Sequence, residues 1–174
     1  MCNSMTLEKT EEIRVEIKSI LIKALDKLYD TDEKNIKDEV SERNLCARLA
    51  MYIEQEMKKY IITNNFNGYY VDVEYNRMEN QEPKRDSEDN LMVCDLLIHS
   101  RGEKKPDNLL ALEMKKSAQD EEAIEKDQKR LEYMTSQGTS SVQNTLLGAF
   151  VVIGKDSPSI TYYKEGKEED RKEA

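Results

Sequence analysis

The chain of 174 residues contains little of what zinc-bound or disulfide-rich folds require. It has one histidine and three cysteines, Cys2, Cys46 and Cys94. The cysteines are odd in number and lack metal-ligand spacing, so they predict neither a disulfide framework nor a zinc site. We expect Cys46 and Cys94 to be small apolar core residues. The single histidine, His99, lies near the end of a predicted strand, where a hydrogen-bonded or solvent-exposed side chain is favoured over a catalytic one.

Long hydrophobic runs are also missing. The longest, residues 146–153, is far shorter than the roughly 20 residues that a membrane helix needs. The N-terminal sequence MCNSMTLEKTEE lacks the hydrophobic segment of a signal peptide. Although 36% of the residues are charged, clear apolar runs recur. We therefore expect a folded cytoplasmic protein with solvated ends.

The chain has no excess of positive charge, because its formal net charge is −9. This charge balance argues against binding of nucleic acid over a large positively charged surface, because such binding depends on Lys and Arg contacts to phosphates. Any nucleic-acid site must therefore be local or assisted by a metal ion. Carboxylates gathered around a cation would leave the same acidic balance, so the charge weakens a nuclease interpretation without excluding it.

Apolar spacing predicts helices and strands in an α/β order. Helices are predicted at 6–29, 41–57 and 118–134, and strands at 69–77, 91–100, 109–115, 145–153 and 159–164. Ser41 is the predicted N-cap of the second helix, with Glu42 in its first turn. Residues 30–39 are polar and interrupt the apolar spacing, so they are predicted to end the first helix. Residues 78–90 are predicted to be an exposed loop, for which a substrate-side flap is the less favoured role.

This order predicts an α/β sandwich with a mixed central sheet. We divide the chain into an N-terminal helical extension (1–40), a main domain (41–164) and a charged C-terminal tail (165–174). The extension is expected to be a packing or dimerising helix. The tail is expected to be solvated.

The sequence LLALEMKK at 109–116 is a buried strand that runs into charge. Because strand side chains alternate, Glu113 and Lys115 share one face while Leu110, Leu112 and Met114 share the other. A carboxylate and an ammonium group are thereby placed together at a strand end, which indicates a site.

A partner for this strand end lies upstream. If the second and third strands pair antiparallel about Lys104, Asp95 lies opposite Glu113 and Arg101 lies opposite Asp107, unless a bulge shifts the register. Opposed Cβ atoms are about 4.5–5.5 Å apart, and two carboxylates there destabilise the pair. A cation between the two carboxylates would offset the cost of burying them. Lys115 is one candidate, and a divalent metal ion is the stronger one.

An Asp followed after 17 residues by Glu-x-Lys, with a helical glutamate upstream, resembles the PD-(D/E)xK, restriction-endonuclease-like nuclease superfamily. The runs SERNLCARLAMYIE, VDVEYNR and NLLALEMKK are similar to uncharacterised prokaryotic members. The resemblance covers residues 41–164. It implies a three-layer α/β sandwich in which helices flank a mixed central sheet, with the N-terminal helix added.

The resemblance also implies roles for particular residues. Asp95, Glu113 and the main-chain carbonyl of Met114 would bind Mg²⁺ or Mn²⁺, which prefer such oxygen ligands. Lys115 would orient or deprotonate the attacking water. Glu42 would add an outer or second-metal contact. Cys94 stands where the family has proline, a difference that leaves the metal site intact in principle.

Further residues are candidates for substrate contact or for support of the site. Tyr75, Asn76 and Arg77 end the first strand, and Lys116 and Lys129 are cations that could meet phosphates. A solvated surface position is the favoured alternative for all five. Asp127 falls on the apolar side of its helix, where we favour a position at the stripe edge over a role in orienting a lysine.

The leading expectation is a metal-dependent nuclease acting on DNA rather than RNA. The second is a non-catalytic interaction module with the same fold, which binds a protein or nucleic-acid partner and uses the N-terminal helix for docking or homodimerisation. A third is a purely structural protein in which Glu113 and Lys115 form a surface ion pair.

Overall fold

The computed structural model describes residues 6–60, 65–75, 92–116, 121–140 and 142–169. Its elements are α1 (Leu7–Lys37), α2 (Glu42–Lys58), β1 (Tyr70–Val73), β2 (Leu96–His99), β3 (Asn108–Lys116), α3 (Glu121–Thr135), β4 (Leu147–Ile153), β5 (Pro158–Lys164) and β6 (Lys167–Glu168). Within these ranges no helix is both long enough and apolar enough to cross a membrane.

The described strands form one six-stranded sheet in chain order from β1 to β6. Strands β3 and β4 are parallel, whereas all other neighbours are antiparallel. The prediction of an α/β fold with a mixed sheet is therefore confirmed. The parallel pair is connected through α3, which is the usual way to join parallel neighbours.

The two faces of the sheet carry separate apolar clusters. Helices α1 and α2 pack on one face, against residues such as Leu110 and Leu112. Helix α3 packs on the other face, where Leu131 joins Ala111. This division follows from the alternation of strand side chains. Each fully buried leucine contributes about 1.5–3 kcal/mol to folding.

Helix α1, predicted as an extension, is part of the main core, since Ile17, Ile20 and Leu21 are fully buried in the cluster that α2 also joins. The two described cysteines are buried free thiols, with Cys46 in the main cluster and Cys94 in the second. Their prediction as small core residues is confirmed.

The predicted end of the first helix at 30–39 is wrong, because α1 continues to Lys37 through a kink at Asp32 (φ −109°, ψ 22°). Arg48 Nε donates to both carboxylate oxygens of Asp32 at 3.0 Å. The Tyr52 hydroxyl donates to Asp32 Oδ2 at 2.7 Å. A polar residue is thus buried at the kink, which apolar periodicity alone could not predict. The predicted cap of α2 is confirmed, since Ser41 Oγ accepts from a main-chain N–H at 3.3 Å.

Strand β1 is shorter than the predicted strand at 69–77. Val71 and Val73 pack against the main cluster, but Tyr75 packs against the second. Strand alternation predicts that all three share a face, and this prediction is wrong because Glu74 has a left-handed backbone (φ 53°), which interrupts the alternation. The predictions for Asn76, Arg77 and the loop at 78–90 lie outside the described residues.

The register of β2 and β3 follows the prediction from Leu96 (opposite Leu112) to Ile98 (opposite Leu110). A bulge between Ile98 and His99 then shifts it. The predicted pairing of Arg101 with Asp107 is wrong for this reason, and Arg101 instead binds Asp72 through contacts of 2.8–3.0 Å. Because the bulge follows Ile98, the pairing near Asp95 is preserved.

The described part of the predicted C-terminal tail (165–169) contains a short strand whose two residues are exposed. A turn at Glu165 and Gly166 (φ 53° and 79°) leads into β6, which pairs with β5. The helix predicted at 118–134 is observed as Glu121–Thr135. The sequence also predicts a capping-box variant for this helix, formed by Ser117 and Asp120, and both residues lie outside the described ones.

Candidate active site at the end of strand β3

Strand β3 places Glu113 and Lys115 on the face that α3 covers. The Glu113 side chain is 2% exposed and contacts α3, and the Lys115 side chain is 15% exposed and contacts the same helix. Leu112 and Met114 point into the main core on the other face. The strand is buried up to Met114 and half-buried at its last two residues, so its charged end is the point where the core meets solvent.

Asp95 lies just before β2 and is fixed to β3. Its Oδ2 accepts a hydrogen bond of 2.7 Å from the main-chain N–H of Met114. Its carbonyl oxygen accepts from the N–H of Glu74 at 3.1 Å and from the Cys46 thiol at 3.3 Å. These contacts anchor Asp95 beside Glu113, as the register about Lys104 predicts. Burial strongly raises the pKa of the Cys46 thiol, so Cys46 is a neutral donor.

Glu113 pairs with Arg130, a residue that the sequence analysis missed. Arg130 Nη1 donates to Glu113 Oε1 across the contact between α3 and the sheet. Burial raises the pKa of Glu113 well above its usual value; Arg130 opposes that shift, while the charges of Asp95 and Asp127 add to it. The predicted need for a cation beside Glu113 is therefore met by a guanidinium group rather than by Lys115.

Lys115 pairs with Asp127 of α3, with 2.6 Å between Nζ and Oδ2. Burial acts to lower the pKa of Lys115, but the hydrogen bond and charge of Asp127, together with Glu42 and Asp95, raise it overall. Lys115 is therefore a charged ammonium group. The favoured assignment of Asp127 to a stripe edge is wrong, because this carboxylate holds the lysine.

Asp127 also joins the two ion pairs of the site. Its Oδ1 lies 3.1 Å from Arg130 Nη1, while its other oxygen holds Lys115. Helical spacing could have revealed Arg130, because it lies three residues after Asp127 and four before the buried Met134 on the face of α3 that meets the sheet.

Glu42 approaches the same lysine from α2. Its Oε2 is 3.6 Å from Lys115 Nζ, and its side chain is 29% exposed. The Ser41 cap fixes the start of the helix and hence the position of this first-turn glutamate. Helix α2, strand β3 and the segment before β2 thus bring four predicted site residues to one end of the sheet: Glu42, Asp95, Glu113 and Lys115. Asp127 and Arg130 of α3 complete the cluster.

The described substrate candidates make other contacts. Lys116 Nζ donates to the carbonyl oxygen of Glu39 at 3.0 Å. Lys129 is exposed and pairs with Glu125 at 2.6 Å. The Tyr75 ring packs 4.3 Å from the ring of His99, measured between centroids. These contacts are separate from the ion pairs that Lys115 makes with Asp127 and Glu42.

Of the two non-catalytic alternatives for His99, the exposed one is wrong, because His99 is buried. Its Nε2 lies 2.9 Å from Asp72 Oδ2. Burial acts to raise the pKa of Asp72, but hydrogen bonds from His99 and Arg101 lower it overall. The histidine thus belongs to a separate polar group on β1 and β2.

The donor chemistry of the cluster fits a divalent cation. Mg²⁺ and Mn²⁺ prefer hard oxygen ligands. The cluster offers such ligands in the carboxylates of Asp95, Glu113 and Glu42 and in the main-chain carbonyl of Met114. The hydrogen bonds described above use Oδ2 of Asp95 and Oε1 of Glu113, so Oδ1 and Oε2 are the oxygens to consider as ligands. Among the described residues, no three His, Cys, Asp or Glu side chains already converge as a metal cage.

Comparisons of the chain with protein-family models, curated proteins and solved structures gave no match. The cluster at the end of β3 is therefore the basis on which a function can be assigned.

Proposed function

We propose that the chain is a metal-dependent nuclease of the PD-(D/E)xK, restriction-endonuclease-like superfamily that hydrolyses phosphodiester bonds. The observation that carries this proposal is the clustering of Glu42, Glu113 and Lys115 at one strand end, with Asp95 bonded to the same strand. A sheet with helices on both faces supports the three-layer sandwich of that superfamily. DNA is favoured over RNA by analogy with the superfamily.

The ligand set for Mg²⁺ or Mn²⁺ is Asp95, Glu113 and the main-chain carbonyl of Met114, with Glu42 as an outer or second-metal contact. A divalent cation bound there would polarise the phosphoryl group and lower the pKa of a bound water. The hydrogen bond from the Met114 N–H to Asp95 holds one carboxylate in place before metal binds, which reduces the ordering required on binding.

Lys115 acts as a charged donor in this proposal. Because its pKa is raised, the ammonium group retains its proton near neutral pH. It can therefore orient the attacking water or stabilise charge on a phosphoryl oxygen. Deprotonation of the water by Lys115 is the other role that the resemblance implies. Asp127 keeps the ammonium group at the strand end.

A second candidate is a non-catalytic interaction module that binds a protein or nucleic-acid partner. It is favoured by the pairing of Glu113 with Arg130 and of Lys115 with Asp127, which compensates these charges without a metal ion. Helix α1 would supply the docking or homodimer surface, since Leu7, Val15 and Ile22 are 88%, 65% and 48% exposed. A module of this kind would have no catalytic requirement for Lys115.

The two candidates are separated by cleavage assays on plasmid and single-stranded DNA with Mg²⁺ or Mn²⁺. We expect the wild type to cleave and Lys115→Met to lose activity by about 100-fold or more. Lys126→Met, which removes an exposed charge from α3, is the matched control and should cleave like the wild type. Equal activity in Lys115→Met would refute the role of the lysine. A wild type that binds metal without cleaving either DNA would favour the interaction module.

A further inference from the structure

Arg130 is a charged residue inside the cluster that the proposed chemistry does not use. Its side chain is 18% exposed, and its Nη1 contacts Glu113 Oε1 and also lies 3.1 Å from Asp127 Oδ1. The following residue, Leu131, is fully buried against the sheet. One guanidinium nitrogen is therefore shared by two carboxylates at a well-anchored position on α3.

The contact with Glu113 compensates a large desolvation cost. A carboxylate that is 2% exposed is unfavourable unless a cation pairs with it. A divalent ion bound to Glu113 would lie close to the guanidinium group, and like charges at such separations repel each other. Arg130 and a metal ion consequently compete for the same carboxylate.

Asp127 gives Arg130 an alternative partner. Because Arg130 Nη1 is already 3.1 Å from Asp127 Oδ1, Arg130 can move away from Glu113 and still be paired with a carboxylate. Lys115 remains on the other oxygen of Asp127. The site thus contains both Arg130, the cation that neutralises Glu113, and Asp127, the carboxylate with which Arg130 can pair instead.

We propose that Arg130 is a resident counter-ion of Glu113, and that its transfer from Glu113 to Asp127 sets the affinity of the site for a divalent cation. This inference rests on the metal site of the proposed function. It assigns to Arg130 a positioning role, in which the residue holds the buried carboxylate while metal is absent and yields it when metal binds.

The first test is calorimetric titration of the full chain with Mn²⁺. Arg130→Gln removes the competitor, so its Kd should fall by about tenfold or more, since a factor of ten needs only about 1.4 kcal/mol. Lys126→Gln, an equal charge change on an exposed position of the same helix, should keep the wild-type Kd. Equal or weaker binding in Arg130→Gln would overturn the inference and leave the proposed metal site intact. Absence of binding in both proteins would overturn both proposals.

The second test uses the wild-type protein and does not depend on the folding of a variant. The side-chain Nε–Hε signal of Arg130 is followed by NMR during titration with diamagnetic Mg²⁺. We expect it to shift in step with metal occupancy, while the signal of Arg48, which binds Asp32, stays fixed. An Arg130 signal that does not move as Mg²⁺ binds would refute the exchange.

Discussion

The buried carboxylate of Asp32 is held by side chains of helix α2. Asp32 is 7% exposed and is bonded by Arg48 and Tyr52. Tyr52 is itself 2% exposed, and its oxygen accepts from Arg48 Nη2 at 2.6 Å. The Tyr52 hydroxyl thus contributes one hydrogen bond to Asp32 and one to Arg48, and both are lost when the hydroxyl is removed.

At the residue scale, Tyr52→Phe should therefore lower the free energy of unfolding by about 1–2 kcal/mol. The ring is kept, so the loss reports the hydroxyl group alone. Urea denaturation monitored by circular dichroism measures the change. Tyr70→Phe is the control: Tyr70 is 39% exposed, and its variant should stay within about 0.5 kcal/mol of the wild type. A loss in Tyr52→Phe no larger than in the control would contradict this account of Asp32.

The predictable residues of the site are those that strand alternation governs. Glu113 and Lys115 follow from the pattern of β3, and Asp95 follows from one antiparallel register. Arg130 and the role of Asp127 depend on how α3 lies across the sheet. That placement is a long-range property, so the apolar stripe of α3 marks both residues as inward without identifying their partners.

At the scale of elements, α3 is positioned by a close approach to β4. A Cβ atom added to Gly148 would lie 3.0 Å from Tyr163 Cβ, 3.2 Å from Thr135 Cγ2 and 3.4 Å from Leu131 Cβ. Two of these neighbours belong to α3. The absence of a side chain at position 148 thus allows the helix to bring Asp127 and Arg130 onto the end of β3.

Gly148→Ala should therefore push α3 away from the sheet and destabilise the protein by about 1–3 kcal/mol, as overpacking does. The melting temperature measured by differential scanning calorimetry should fall by roughly 2–4 °C for each kcal/mol. Ser159→Ala, at an exposed position of β5, should leave the melting temperature nearly unchanged. An unaltered melting temperature in Gly148→Ala would show that α3 is not packed as described.

Element ends were harder to predict than element types, for local reasons. The left-handed backbone at Glu74 ends β1 early, and the bulge after Ile98 changes the register toward the turn. Apolar periodicity reports neither event. The kink at Asp32 was hidden because its partners lie on another helix.

At the scale of the whole molecule, tyrosines link folding to alkaline pH. Burial, together with a nearby carboxylate, raises the pKa of Tyr29, Tyr69 and Tyr162 to about 12. The pKa of Tyr163 is raised to about 12 in the same way. The ordinary tyrosine value is 10.0.

The unfolded chain should lose these protons near pH 10 and the folded chain only near pH 12. Between these values the unfolded state binds fewer protons, so stability falls as the pH rises. We expect alkaline unfolding in this interval, with tyrosinate absorbance rising together with the loss of far-ultraviolet circular dichroism. All tyrosines ionising near pH 10 while the circular dichroism stays native would contradict the raised pKa of these four.

The α/β class and the mixed sheet were predictable because alternating and helical apolar patterns recur along the whole chain. The sequence did not show that α1 belongs to the main core. Its apolar stripe would look the same whether the helix packed on this sheet or formed a separate dimerising extension. The net charge of −9 indicates only that any nucleic-acid contact is local. The strand end that gathers Asp95, Glu113 and Lys115 is therefore where the function has to be tested.

The most direct test of a divalent-metal site is calorimetric titration of the wild type and Asp95→Asn with Mg²⁺ and Mn²⁺. Asn keeps the size of the side chain but removes the charge, so affinity should fall about tenfold or more. Glu54→Asn, at an exposed position of α2, is the control and should bind like the wild type. The account predicts saturable binding by the wild type that Asp95→Asn weakens. Absence of binding by the wild type at millimolar metal would contradict it.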